Sequence, residues 1–565
     1  MTARRLRLLP AAVALLALAG CTGGETIAPT PPPNEVRFTA PDGVVTAVVQ
    51  PDAPSRAIAT SRALFARSSG AVVAPDGDVA AQRTGAALAE RLHVPMLLGP
   101  AAPAPTDAPT EGTDAGTGAS ADATPGGAST ARSTAAPSAS ASPPADAPTA
   151  SRTPTASASP SASASPTPSA TPAPDAGAAL AAELKRLGVR WVVPVGAVPA
   201  SALGDVERLK AEDAVAPERA TPAVDAVALV ADGEADLASA ASAQAAGASV
   251  HVVDDAKGDL SASKAAVDAL ADAKEAPALL IGDAFEAQPD AEWAVRAART
   301  GYRLPGGGQR SFPAHRYVAL YGVPEVPVLG VLGEQGVEAT IERVDRLAKD
   351  YQELSDKPVV PMLEIIVTVA AGERGKDGNY SNELDIADIE PYVDAAEQAG
   401  VSVVIDLQPG RSDFVTQAKR YQRLLERPHV GLALDPEWRI KPNQRHLVQI
   451  GSVSADEVNR TSEWLADLVK ERGLPPKLFV LHQFKFSMLP DRERIVERPQ
   501  LETIVHVDGQ GSQPAKQDTW RALVDGAPDW YAFGWKNFLD EDKPVLTPQQ
   551  TMTQVEPKPD LITYQ

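Results

Sequence analysis

Asp435 and Glu437 stand two residues apart at the end of an apolar run that begins at Val430, with Pro436 between them and Trp438 directly after. On an extended chain residues i and i+2 point to the same side, so both carboxyls face one place. Pro436 stiffens the turn, and the Trp438 indole offers a flat face on which a sugar ring can stack. Glycosidic cleavage needs such a set: one protonated carboxyl for the leaving oxygen and one ionised as nucleophile or base. Other apolar runs end the same way, since 359–363 meets Glu364, 401–405 meets Asp406, 478–481 meets His482-Gln483, and 503–505 meets His506 and then Asp508. Glu364, Asp406, Asp435 and Glu437 are therefore the candidate catalytic acids. Trp438, His482, Gln483, His506 and Asp508 are candidate substrate contacts, joined by Trp535, which with Lys536 and Asn537 closes a further run.

Two other readings use the same residues. Each acid taken alone also fits a structural role, accepting backbone or arginine hydrogen bonds at a strand end, which leaves a non-catalytic carbohydrate-binding or scaffold protein as the alternative. His482, His506 and Asp508 also suit a metal-dependent hydrolase, because imidazole and carboxylate ligands arriving from separate strands are common in barrel hydrolases. No His-x-His or His-Glu-x-x-His spacing supports that second alternative, so no metal or cofactor is assigned. The glycine-rich 372–378 lacks the phosphate-loop spacing and the Ser/Thr after Lys376. It reads as a mobile lid ending at 379–382 rather than a nucleotide site.

Acids so far apart in sequence converge only if their strands do. Apolar runs without alternation are the signature of parallel strands buried on both faces. Seven fall at 317–321, 359–363, 401–407, 430–434, 478–481, 503–507 and 530–535, separated by helical patterns at 337–354, 386–399, 414–425, 456–472, 492–498 and 515–524. Gly400 and Gly473 follow their helices as C-cap residues. Residues 317–565 thus read as a TIM-like (β/α) barrel, in which the carboxyl ends of the strands share one face. An eighth strand is either 326–332 or missing, with closure left open.

The N-terminal half reads as a Rossmann-like α/β region over 42–100 and 177–284. An Ala/Ser/Thr/Pro-rich insertion at 101–176 interrupts it, too poor in apolar and aromatic residues to offset its ordering entropy and therefore expected to be disordered. Residues 285–316, with Gly306-Gly307-Gly308, form a linker. Arg4, Arg5 and Arg7, an apolar stretch over 8–18, and Leu18-Ala19-Gly20-Cys21 make an export signal over 1–21. Its end resembles a bacterial lipobox, which implies a lipid on Cys21, a tether over 22–41, and a place on the outer face of the cytoplasmic membrane. Cys21 is the only cysteine in 565 residues, which excludes an internal disulfide and a cysteine zinc site. A net charge of -21 argues against nucleic acid as a partner.

Strand 70–74, Asp76-Gly77-Asp78, helix 79–92, strand 94–98, helix 178–187 and strand 191–195 with Gly196 together resemble one unit of the cell wall-binding repeat 2 family. A weaker copy runs over 224–283. The resemblance implies tandem Rossmann-like units and attachment to a wall polymer. It departs from the family in lacking its Tyr-Pro-Asp-Ala-Leu run and in reading Gly196-Ala197 where a glycine pair is usual. The barrel half resembles the C-terminal domain of uncharacterised secreted lipoproteins of high-GC Gram-positive bacteria. The residues that carry this likeness are Leu329-Gly330-Val331-Leu332-Gly333-Glu334, Asp406-Leu407-Gln408-Pro409-Gly410-Arg411, Leu434-Asp435-Pro436-Glu437-Trp438 and His506-Val507-Asp508-Gly509-Gln510-Gly511. It implies a fold and an envelope location without an activity.

Overall fold

In a computed structural model, residues 33–101, 175–255, 257–288 and 290–565 are described. Cys21 and the signal peptide, the tether as far as 32, and 102–174 of the insertion lie outside the described residues.

The barrel consists of strands β1 (Arg316–Gly322), β2 (Val359–Ala370), β3 (Ser402–Leu407), β4 (Val430–Leu434), β5 (Lys477–His482), β6 (Leu501–Val507), β7 (Ala532–Asn537) and β8 (Leu561–Tyr564). All are parallel to their barrel neighbours, and β1 pairs with both β2 and β8, so the eight strands close. The closing strand is Leu561–Tyr564, not 326–332. That stretch folds instead into two short 3-10 turns, Pro327–Leu329 and Val331–Glu334, because Pro327 lacks an N–H for a ladder and Gly330 takes φ 131°. The helix expected at 492–498 is likewise only a 3-10 turn at Arg492–Arg494. The 372–378 loop leads into a short strand, Ser381–Glu383, that pairs antiparallel with the end of β2, so its far end is anchored to the barrel.

Local signals account for the outer helices. In Ala455–Arg472 the Ser454 side chain accepts the N–H of Glu457, and Gly473 ends the helix at φ 60°. Gly400 ends Ile386–Ala399 in the same left-handed conformation. These helices and the outward faces of the strands make the largest apolar cluster, among them Ile365, Val403, Leu432 and Phe479. The inward faces hold a second, smaller core of Ala319, Met362, Val404, Ala433, Val480 and Ile504. Every strand is thus buried on both sides, as its unbroken apolar run requires.

The N-terminal region contains two parallel four-stranded sheets. One runs Met96–Gly99, Gly70–Pro75, Trp191–Pro194, Glu207–Arg208; the other runs Ser249–Val252, Val227–Val230, Ala278–Ile281, Val45–Val48. In the first sheet the earliest strand, Gly70–Pro75, lies between the next two, and in the second Val227–Val230 lies between the two that follow it, with Val45–Val48 added at the edge, so a βαβαβ arrangement is repeated. Glu35–Phe38 is already a strand, so folded structure begins within the expected tether. The expected linker is also structured: helix Ala291–Arg299 lies in it, and Trp293 donates from Nε1 to the Leu474 carbonyl of the barrel at 3.0 Å. Val469 and Leu474 pack in one cluster with that helix. The α/β region and the barrel therefore belong to one compact unit.

Candidate functional site

Because side chains alternate along a strand, the inward series on each strand can be followed to its carboxyl end. Tyr321, Glu364, Asp406, Asp435, His482, His506, Lys536 and Thr563 are the residues reached, on or just after β1 to β8 in that order, and all are buried. Apolar residues fill the barrel below them. Above them opens a cavity of about 660 Å³ bounded by Tyr321, Asp435, Glu437, Trp438, Asp508 and Lys536, among others. Catalytic groups of this fold gather at the same end of the strands.

Hydrogen bonds run through the polar layer. His482 donates from Nδ1 to Asp508 Oδ2 at 2.9 Å and from Nε2 to Glu364 Oε1 at 2.8 Å. Thr563 donates to the other Glu364 oxygen at 3.3 Å. Tyr321 donates its hydroxyl to Asp406 Oδ2 at 2.9 Å and accepts from Gln408 Nε2 at 3.3 Å. Lys536 places its ammonium 3.4 Å from the centre of the Tyr321 ring, a cation-π contact in a buried setting. Several polar atoms have no hydrogen-bond partner among the described residues: Asp406 Oδ1, Asp508 Oδ1 and both ring nitrogens of His506.

Burial and neighbours divide the acids. Burial works against charge on His482, but Glu364 and Asp508 outweigh it and raise the imidazole well above its ordinary value. Glu364 shows the reciprocal effect: burial pushes it up, and the His482 charge brings it well below the carboxylate range. Asp508 is also lowered, burial being overcome by the His482 hydrogen bond and charge and by Lys536. On the cavity side, burial followed by the Asp508 charge pushes Glu437 up to about 7. Burial also lifts Asp406 to about 6, where the opposing His482 charge fails to offset it, and raises Asp435 well above its ordinary value. The layer therefore holds neutral and ionised carboxyls side by side, a pattern found at sites of proton transfer.

The positions expected from sequence fall into three groups. Asp435, Glu437, Trp438 and Asp508 line the cavity. Asp435 also caps the turn Pro436–Trp438 by accepting the Glu437 N–H at 3.1 Å, so the pair is held by a turn rather than by an extended strand. Glu364, Asp406, His482 and His506 are wholly buried, and they support the cavity floor rather than line it. Gln483 and Trp535 do not line it either. The Gln483 amide accepts from Arg492 at 2.7 Å and donates to the Lys485 carbonyl at 3.2 Å. Trp535 alternates outward on β7 into a cluster with Trp520 and Val505, so it is a core residue and not a stacking platform. Asp508 is likewise on the far side of His482 from any ion that Glu364 and His506 could share.

The site also holds Tyr321, Thr563, Phe484 and Lys516, which the strand-end pattern does not single out. Strand parity from Tyr317 and Ala319 is the signal that points to Tyr321. Thr563 lies on β8, whose four residues carry too short a pattern to read as a strand. Phe484 and Lys516 reach the cavity from a loop and from the first turn of helix Gln513–Val524, and nothing in their local pattern marks them.

No protein-family model matches this chain, and no curated protein sequence does. Among solved structures, the chain is similar to the crystal structure of HpcH/HpaI aldolase from Desulfitobacterium hafniense DCB-2, at 12% identity, over 44% of this chain and 85% of that one, with a TM-score of 0.22. The barrel assignment itself rests on the register of its eight strands.

Proposed function

We propose that this protein is a cell-envelope lipoprotein, held at the membrane through Cys21, whose barrel hydrolyses a glycan of the wall. The observation that carries the catalytic part is that Glu437 and Asp508 line one cavity beside the Trp438 indole. Glu437, protonated up to about pH 7, is the general acid that gives its proton to the leaving glycosidic oxygen. Asp508, fixed by His482, faces the positive charge that develops at the anomeric carbon. Neither acid forms a salt bridge to Arg or Lys among the described residues, which favours this reading over a scaffold. Trp438, half-buried, supplies a face for the sugar. The duplicated α/β sheets fit the wall-attachment role implied by the repeat-family likeness.

The test is release of reducing sugar from purified wall polymers by the mature chain, beside Glu437→Gln and Asp508→Asn. Loss of general-acid assistance should lower turnover by about 10²- to 10⁴-fold in Glu437→Gln, with polymer binding retained. If a broad panel of wall polymers is bound but none is cleaved by the native protein, the hydrolase assignment is wrong and the barrel is a binding module.

A further inference from the structure

Glu364, His482 and His506 each offer a ligand atom, and the three atoms lie within 4.8 Å of one another under the cavity floor. His482 Nε2 stands 2.8 Å from Glu364 Oε1, and His506 Nδ1 stands 3.8 Å from the same oxygen. Asp406 brings Oδ1 to 3.9 Å from His482 Nε2. Ligands about 2.0 to 2.2 Å from one ion at a tetrahedral angle are about 3.3 to 3.6 Å apart. The two spacings to Glu364 Oε1 lie on either side of that range, so an ion between the three groups needs a local adjustment of their side chains.

Three of the four ligands are oriented from the outer side, and the inward atoms of two of them, Glu364 Oε1 and His482 Nε2, share a hydrogen bond that an ion would replace with loss of the Nε2 proton. Glu364 has Oε2 held by Thr563, Asp406 has Oδ2 held by Tyr321, and His482 has Nδ1 held by Asp508. The last is the carboxylate-histidine pairing that fixes the tautomer of metal-bound imidazoles. His506 is the most informative of the four: it is wholly buried, and neither ring nitrogen has a hydrogen-bond partner among the described residues, the Glu364 oxygen standing beyond that range at 3.8 Å. A buried imidazole normally makes at least one hydrogen bond, so an unsatisfied one needs an explanation such as an ion. Its place is specifically made, because a Cβ on Gly534 of the adjoining strand would lie 2.6 Å from His506 Cδ2. No Arg or Lys forms a salt bridge to Glu364 or Asp406 among the described residues, so a cation at the centre would take over from His482 in offsetting the buried Glu364 carboxylate.

We propose that Glu364, His482 and His506, with Asp406 as a fourth ligand, bind a divalent transition metal of the zinc class. Two imidazoles with carboxylates select borderline ions over Mg²⁺ and Ca²⁺, which prefer all-oxygen sites. The site is distinct from the Glu437 and Asp508 pair, and its occupancy can be measured without any turnover.

Chelator-treated mature protein is titrated with Zn²⁺ by calorimetry and with Co²⁺ by visible absorption. One ion per chain is expected, together with the intense visible bands of a four- or five-coordinate Co²⁺ site. His506→Gln and Glu364→Gln should each weaken binding by at least about 100-fold, and Asp508→Asn by about 10- to 100-fold through the lost support of His482. His251→Gln, in the α/β region, should leave binding unchanged. The native Co²⁺ spectrum decides the matter even if a buried variant fails to fold: only the weak six-coordinate spectrum of the aqueous ion would overturn the proposal. Unchanged affinity in a folded His506→Gln would overturn it as well.

Discussion

Glu437 differs from a surface glutamate because it loses water on one side and faces the Asp508 charge on the other. Both effects favour its protonated form and bring it to about 7 from an ordinary 4.5. For a general acid the consequence has one sign: the proton is present below that value and lost above it. The pH profile of kcat/KM for polymer cleavage should hold on the acid side of about 7 and then fall about tenfold per unit. Glu437→Gln should remove that limb along with most of the rate, and a profile that keeps the limb would assign it to another group. The same shift affects stability in the opposite direction to a salt bridge. Between about 4.5 and 7 the folded chain keeps a proton that the unfolded chain has released, so this residue's contribution declines as pH rises through the interval.

Strands set the next scale, because their parity decides which side chains meet. On β7 the inward positions are Ala532, Gly534 and Lys536, and the missing side chain at Gly534 is what seats the His506 ring. Gly534→Ala would drive a methyl into a packed imidazole and the neighbouring backbone. That overpacking should destabilise the protein by about 1 to 3 kcal/mol, read as a lower denaturation midpoint at unchanged slope. Unchanged stability would mean that the ring has room to move, and that Gly534 is not needed to seat it. Parity also explains why Trp535 is not a sugar platform: the sequence marks a strand end rich in function-bearing types, but adjacent residues on one strand face opposite sides. Since Lys536 faces the cavity, Trp535 cannot.

At the scale of the whole molecule, the duplicated α/β sheets and the barrel form one unit, with Trp293 buried where they meet. If the α/β sheets attach to a wall polymer as proposed, their position on it therefore also places the barrel mouth. The proposed lipid on Cys21 adds a second point of attachment, and it has a direct check. In cells making the native chain, the protein should partition with membranes and incorporate labelled palmitate. Cys21→Ser should abolish labelling and shift the protein out of the membrane fraction. Labelling that persists in the variant would refute lipidation at this position.

Local chemistry makes much of this molecule legible in its sequence. Unbroken apolar runs identify seven barrel strands, Gly400 and Gly473 mark helix ends, and acids at strand ends indicate a polar mouth; all of these depend on residues within a turn or two of one another. Closure does not follow from such signals. β8 is a four-residue strand preceded by a helix of only seven residues, Pro548–Gln554, and its role in closing the barrel is fixed by pairing with β1, far away in sequence. The composition of the site is equally non-local. Glu364 meets His482 across 118 residues and Thr563 across 199, and no spacing rule spans such distances. The sequence by itself determined that carboxylates and imidazoles would end buried parallel strands. Only the closed barrel decided which of them share a proton, which face the cavity, and which are left beneath it with unpartnered nitrogens, because desolvation and charge act through space.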